Sequence, residues 1–112
     1  MISPATAPHY TWASVCDGWR LVDTPGLSVI QERMPTGTQE VRHRHARVRQ
    51  FFYALRGELT LDVQGSGPQV IPAGCGLEVA PGRVHQSRNE SGVDVDFLVV
   101  SDGVSREDRE EG

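Results

Sequence analysis

The segment His43-Arg44-His45-Ala46-Arg47-Val48-Arg49-Gln50, read together with Pro81-Gly82-Arg83-Val84-His85, decides how this chain folds. Residues i and i+2 of a strand face the same way, with Cα atoms roughly 6–7 Å apart. His43 and His45 can therefore turn both imidazoles toward one ion at about 2.0–2.2 Å. Gly37 and Gly57 bracket this segment as turns, and the Pro81-Gly82 turn leads into a third histidine, His85. Alternation predicts His43 and His45 inward, with Arg42 and Arg44 outward. It likewise turns Gln50, Phe52 and Ala54 inward against Phe51, Tyr53 and Leu55 on the opposite face, and places Ser87 and Asn89 on the side of His85. One pocket should gather His43, His45, Gln50 and His85, with Phe52, Ala54, Ser87 and Asn89 around them.

The rest of the chain carries the same period of two. Leu27–Met34, Glu58–Gln64 and Val93–Val100 read as strands, and Gln50–Leu55, apolar on both faces, reads as a strand buried on both sides. Turn residues punctuate each one: Thr36-Gly37, Arg56-Gly57, Gly65-Ser66-Gly67-Pro68, Ala73-Gly74-Cys75-Gly76 and Pro81-Gly82. No window shows a helical stripe. The expectation is an all-β jelly-roll barrel, in one domain spanning 12–104. Residues 1–11, with Pro4 and Pro8, read as a loose arm, and the charged run 105–112 as a solvated tail.

The spacing of these residues resembles the two motifs of the cupin superfamily. The first runs Gly, five residues, His-x-His, three or four residues, Glu, six residues, Gly; here it is Gly37, His43, His45, Gln50, Gly57, with Gln where the family has Glu. The second is met by Gly74, Gly82, His85 and Asn89, with Ala80 at the proline position and Pro81 one residue late. The resemblance implies a double-stranded β-helix and one divalent metal, held by His43, His45, His85 and Gln50. It also implies a homodimer, whose partner or a second sheet would cover Phe51, Tyr53 and Leu55.

Iron, nickel, manganese and zinc all suit such an N/O ligand set. A neutral Gln in place of Glu leaves both charges on the ion, which favours an anionic ligand. Two functions follow. One is a metal-dependent enzyme (isomerase, lyase or oxygenase type) on a small oxygen-rich or anionic metabolite. The other is a non-catalytic sugar or metabolite sensor, metal-bound or metal-free, since three histidines and a glutamine can also satisfy one another as a polar pocket. No general base stands out, because Glu40, Glu58 and Glu78 are expected in turns or facing out. The arginine run 42–49 reads as a solvated strand edge, and Tyr10, Trp12 and Trp19 as packing residues.

Composition narrows the partners. The chain has 112 residues and a net charge of −4, without the basic excess of a nucleic-acid surface. Its longest apolar run, Phe97-Leu98-Val99-Val100, is far too short for a bilayer. No basic and apolar leader is visible in the first residues, so a cytoplasmic protein is expected. Cys16 and Cys75 alone make no disulfide framework, and Cys75 reads as a small buried residue.

Overall fold

A computed structural model describes residues 1–112. The strands are β1 (His9–Trp12), β2 (Cys16–Thr24), β3 (Leu27–Met34), β4 (His43–His45), β5 (Gln50–Arg56), β6 (Glu58–Val63), β7 (Gly67–Pro72), β8 (Gly76–Val79), β9 (His85–Arg88), β10 (Val95–Ser101) and β11 (Arg109–Glu111). One sheet runs β1-β2-β3-β10-β5-β8 and the other β11-β4-β9-β6-β7, so from β3 onward the chain crosses between the sheets at every step except the β6–β7 hairpin. Every strand pairing is antiparallel. This is the expected all-β double-stranded β-helix. Its core takes alternate residues from both sheets: Phe52 and Ala54 of β5 and Val95, Phe97 and Val99 of β10 meet Leu59, Leu61 and Val63 of β6. No helix is long and apolar enough to cross a membrane.

Both ends are more ordered than the sequence implies. The arm expected over 1–11 ends in β1, which pairs with β2 from His9↔Trp19 to Trp12↔Cys16. Gly18 makes this possible: it faces Tyr10 across the pair, and a Cβ there would lie 2.2 Å from the phenol ring. The ring thus covers bare backbone on the cavity side. At the other end, β11 pairs with β4, Arg109 opposite His45 and Glu111 opposite His43. The Asp108 carboxylate anchors it by accepting the N–H groups of Arg47 (2.7 Å) and Val48 (2.8 Å). Those two bonds hold the Asp108 carboxyl below its usual range.

Strand β5 is not buried on both sides. Gln50, Phe52 and Ala54 are buried, whereas Phe51 and Leu55 are 41% and 42% exposed. The second sheet covers only the inner row, so the outer row faces solvent. The arginine run is indeed outward, and each member finds a carboxylate: Arg42–Asp62, Arg44–Glu110, Arg47–Asp108 and Arg49–Glu78. Both cysteines are free; Cys16 is the buried one, and Cys75 is exposed because its turn lies at the surface.

The β5–β6 turn depends on Gly57, which has φ +75°. A Cβ there would lie 2.6 Å from the Asp94 carbonyl oxygen. Gly57→Ala is expected to destabilise the fold by about 1–3 kcal/mol. A urea-denaturation midpoint measures this, and an unchanged midpoint would show that the turn relaxes freely.

Candidate metal centre

Strand β4 is three residues long, and its central chemistry is made by one pairing. His43 lies directly opposite His85 of β9, which brings together residues 42 positions apart. The Gly82 N–H donates to the His45 carbonyl at 2.7 Å, fastening the turn before β9 against β4. The ring centroids lie 5.0 Å (His43–His45), 4.5 Å (His43–His85) and 5.9 Å (His45–His85) apart. One potential ligand atom from each lies within 4.8 Å of the others, and all three residues are buried. Nitrogens bound tetrahedrally to one ion at about 2.1 Å are about 3.4 Å apart, so a contraction of up to about 1.4 Å would bring all three onto one ion.

The ring orientations are set from outside the cluster. His43 Nδ1 lies 2.8 Å from the Val41 carbonyl, and His85 Nδ1 3.0 Å from that of Arg83. A carbonyl only accepts, so both Nδ1 atoms carry the proton and both Nε2 atoms keep a free lone pair. His85 Nε2, His45 Nδ1 and Gln50 Oε1 are buried without any hydrogen-bond partner. Gln50 donates its amide nitrogen to Ser101 Oγ at 3.2 Å, which leaves the oxygen unused. Several orphaned polar atoms in one place are costly unless something accepts them, and a divalent cation fits that need. Burial first, and then the neighbouring rings, hold His45 down to about 4. Burial holds His43 down to about 4 against the pull of the Val41 carbonyl, and it also lowers His85. All three are therefore neutral at pH 7, the form that binds metal.

A cavity of about 210 Å³ opens beside the cluster. Of the residues expected around it, His43, His45, Gln50 and Phe52 line it; His85, 1% exposed, is the most deeply buried of the three histidines. Ala54 does not line it, because that position lies in the apolar core. Ser87 is buried and does not line the cavity. Asn89 spends its side chain on the backbone, donating to the carbonyls of Met34 and Val93 (2.8 Å each) and so tying the end of β3 to the loop before β10.

The cavity also contains residues that the sequence reading left out. Tyr10, Trp12, Arg20, Glu32, Glu40 and Arg109 all line it. Glu40, expected in a turn or facing out, points inward: its Oε1 accepts the Ser87 N–H at 3.0 Å and its Oε2 lies 3.9 Å from His43 Nδ1. Glu32 accepts the Tyr10 hydroxyl at 3.2 Å. Burial, followed by the charge of Glu40, pushes the Glu32 carboxyl up to about 8. Burial also raises Glu40, opposed by the Ser87 N–H, and burial beside Glu32 raises the Tyr10 hydroxyl. Glu32 was findable by parity, since it shares the inward row of β3 with Ser28, Ile30 and Met34.

The sequence pattern of the cupin domain matches residues 30–101. The chain belongs to the cupin family. Solved structures agree on the fold of this cupin. A sugar phosphate isomerase from Silicibacter pomeroyi, itself of the cupin superfamily, is 18% identical with TM-score 0.80, over 93% of this chain and 76% of that one. The DMSP lyase DddQ of Ruegeria pomeroyi is 17% identical with TM-score 0.81, over 96% and 61%. The oxalate decarboxylase of Lactobacillus farciminis is 14% identical with TM-score 0.80, over 96% of this cupin but only 34% of its own length. No match is found among curated proteins.

Proposed function

We propose that this cupin is a metal-dependent enzyme of isomerase or lyase type that moves a proton on a small, oxygen-rich or anionic metabolite. The observation that carries this reading is Glu32 on the cavity wall that also holds His43 and His45. Burial and the neighbouring Glu40 push the Glu32 carboxyl up to about 8 in the metal-free fold, the direction that keeps a proton on it and suits a general acid. Glu40 stands beside it as a second carboxylate, fixed by the Ser87 N–H. The residues that would hold the ion are His43, His45, His85 and Gln50; a divalent cation there supplies Lewis acidity to a carbonyl or hydroxyl oxygen. Trp12, Ile30, Phe52 and Val99 give the cavity an apolar wall that limits water. An isomerase and a lyase among the structural relatives are consistent with proton-transfer chemistry on this fold.

The test is isotopic. Iron, nickel, manganese and zinc forms are incubated in D₂O with a pool of small carboxylates, hydroxy acids and sugar phosphates, and the pool is followed by mass spectrometry. Deuterium gain or conversion in one compound is the expected result. A pool unchanged with all four metals would overturn the enzyme reading in favour of a binding module.

The amide of Gln50 gives a second check. Gln50→Glu adds a negative charge where the unpartnered Oε1 now lies, and is expected to tighten zinc binding by about 1–3 kcal/mol. Zinc titration reads this directly, and an unchanged affinity would remove Gln50 from the ligand set.

A further inference from the structure

The chain has eleven basic side chains, all arginine. Eight of them lie within 4.0 Å of a carboxylate oxygen. Arg83 instead donates to the Gln64 carbonyl and Ser66 Oγ on the surface. The two that remain, Arg20 and Arg109, have no carboxylate within that distance, and both line the cavity beside the histidine cluster. A third lining arginine, Arg106, shows the contrast: Asp23 takes both of its terminal nitrogens, at 3.2 and 3.3 Å.

We infer that Arg20 and Arg109 form a receptor for the oxyanion end, carboxylate or phosphate, of the molecule that occupies this cavity. The inference rests on the cavity being the ligand site proposed above and adds the part of the ligand that the histidines do not hold. Arg20 lies on β2 of one sheet and Arg109 on β11 of the other, so an anion between them would be held by both walls. The Arg20 guanidinium is stacked at 4.3 Å on the Tyr10 ring, and its Nε is buried without a partner. Arg109 has only a long 3.5 Å contact, to the Val41 carbonyl. A guanidinium fork matches a carboxylate or phosphate through two parallel hydrogen bonds, and a buried, unpartnered N–H makes that match more favourable. The nearby carboxylates do not supply the match, since Glu32 is bonded to Tyr10 and Glu40 to the Ser87 N–H. At about 210 Å³ the cavity is below the usual range for drug-sized ligands, which restricts the occupant to a small anion.

Arg109 also gives the C-terminal segment a purpose. The Arg106–Asp23 pair, the two bonds to Asp108 and the β11–β4 pairing fasten the chain on either side of it. The segment thereby delivers one cation to the cavity from a stretch with no apolar residue after Val104.

The experiment is calorimetric titration of the zinc-loaded protein with succinate, with inorganic phosphate and with neutral butane-1,4-diol, after the zinc content of each sample has been measured. Wild type is expected to bind one of the anions and not the diol; the anion that binds identifies the headgroup. Arg20→Gln and Arg109→Gln should keep their zinc and lose about ten- to a hundredfold in anion affinity, the loss of one charge-assisted hydrogen bond each. Anion affinity unchanged in both zinc-loaded variants would overturn the inference while leaving the metal centre standing. Wild type that takes no zinc yet shows arginine-dependent anion binding would do the reverse. Wild type that binds neither anion, with or without zinc, also overturns it.

Discussion

Replacing His43 and His85 together by alanine is expected to take the protein from near-stoichiometric divalent metal to none. The two imidazoles face each other across the β4–β9 pairing, each with Nδ1 committed to a backbone carbonyl and Nε2 free. Removing both leaves His45 and the neutral amide of Gln50, too few donors to compete with water for a divalent ion. Elemental analysis gives the metal content, and thermal melting gives an independent reading. A ligand at 100 times its Kd stabilises a fold by about 2.7 kcal/mol, so zinc should raise the wild-type melting temperature and leave the variant's unchanged. A variant that still holds metal would place the site elsewhere.

The same geometry determines how the site responds to acid. An ordinary imidazole takes a proton near pH 6.5, but burial holds His43 and His45 down to about 4 in the metal-free fold. Protons therefore compete with the ion only as pH approaches 4, and metal retention should be flat between pH 7 and about 5. The metal-free protein shows the matching linkage. Its unfolded chain binds protons at these histidines from about pH 6.5 downward and the folded chain does not. Stability is thus fully present above pH 6.5 and is lost as pH falls toward 4. Melting temperatures of zinc-free wild type across that window measure the effect, and a flat profile would mean that the folded chain takes up protons as the unfolded chain does, with no depression of these rings by burial.

How much of this was legible depended on which force positions each residue. His43, His45, Gln50 and Phe52 were readable because side-chain parity on a strand is rigid and the buried row is selected by the core. Glu32 obeys the same parity and was equally readable, as a carboxylate in a row otherwise occupied by Ser28, Ile30 and Met34. Glu40 was not: it lies in the irregular stretch between β3 and β4, and the bond from the Ser87 N–H, not periodicity, aims it inward. Strand β11 was illegible for a different reason. Arg109, Glu110 and Glu111 are all exposed, so its pairing with β4 rests on backbone hydrogen bonds that leave no hydrophobic pattern. Asn89 shows the opposite error: its motif position was plain, but its amide serves the carbonyls of Met34 in β3 and Val93 in the following loop, not the cavity.

Glu32→Gln is expected to lower turnover by about 10²–10⁴-fold, the usual contribution of a positioned general acid, with metal content unchanged. The substitution keeps the shape of the side chain and an oxygen for the Tyr10 hydroxyl, so what it removes is the transferable proton. Turnover that requires protonated Glu32 falls as pH rises through the carboxyl's pKa, and that limb should vanish in the variant. A dication in the site would draw the pKa down from about 8, so the disappearance of the limb is the diagnostic, not its position. Stability should move the other way. A carboxyl raised from 4.5 to about 8 by burial contributes stability that is fully present below pH 4.5 and is lost as pH rises through 8, because the unfolded chain ionises first. Gln cannot ionise, so between about pH 7 and 8, where the histidines are neutral in both the folded and the unfolded chain, the variant's melting temperature should be nearly flat while that of the wild type declines. A variant both less active and more stable at pH 8 is what a functional carboxyl kept against its own desolvation cost predicts. If the variant loses activity and stability together, Glu32 is a packing residue, and the proton must come from elsewhere in the cavity.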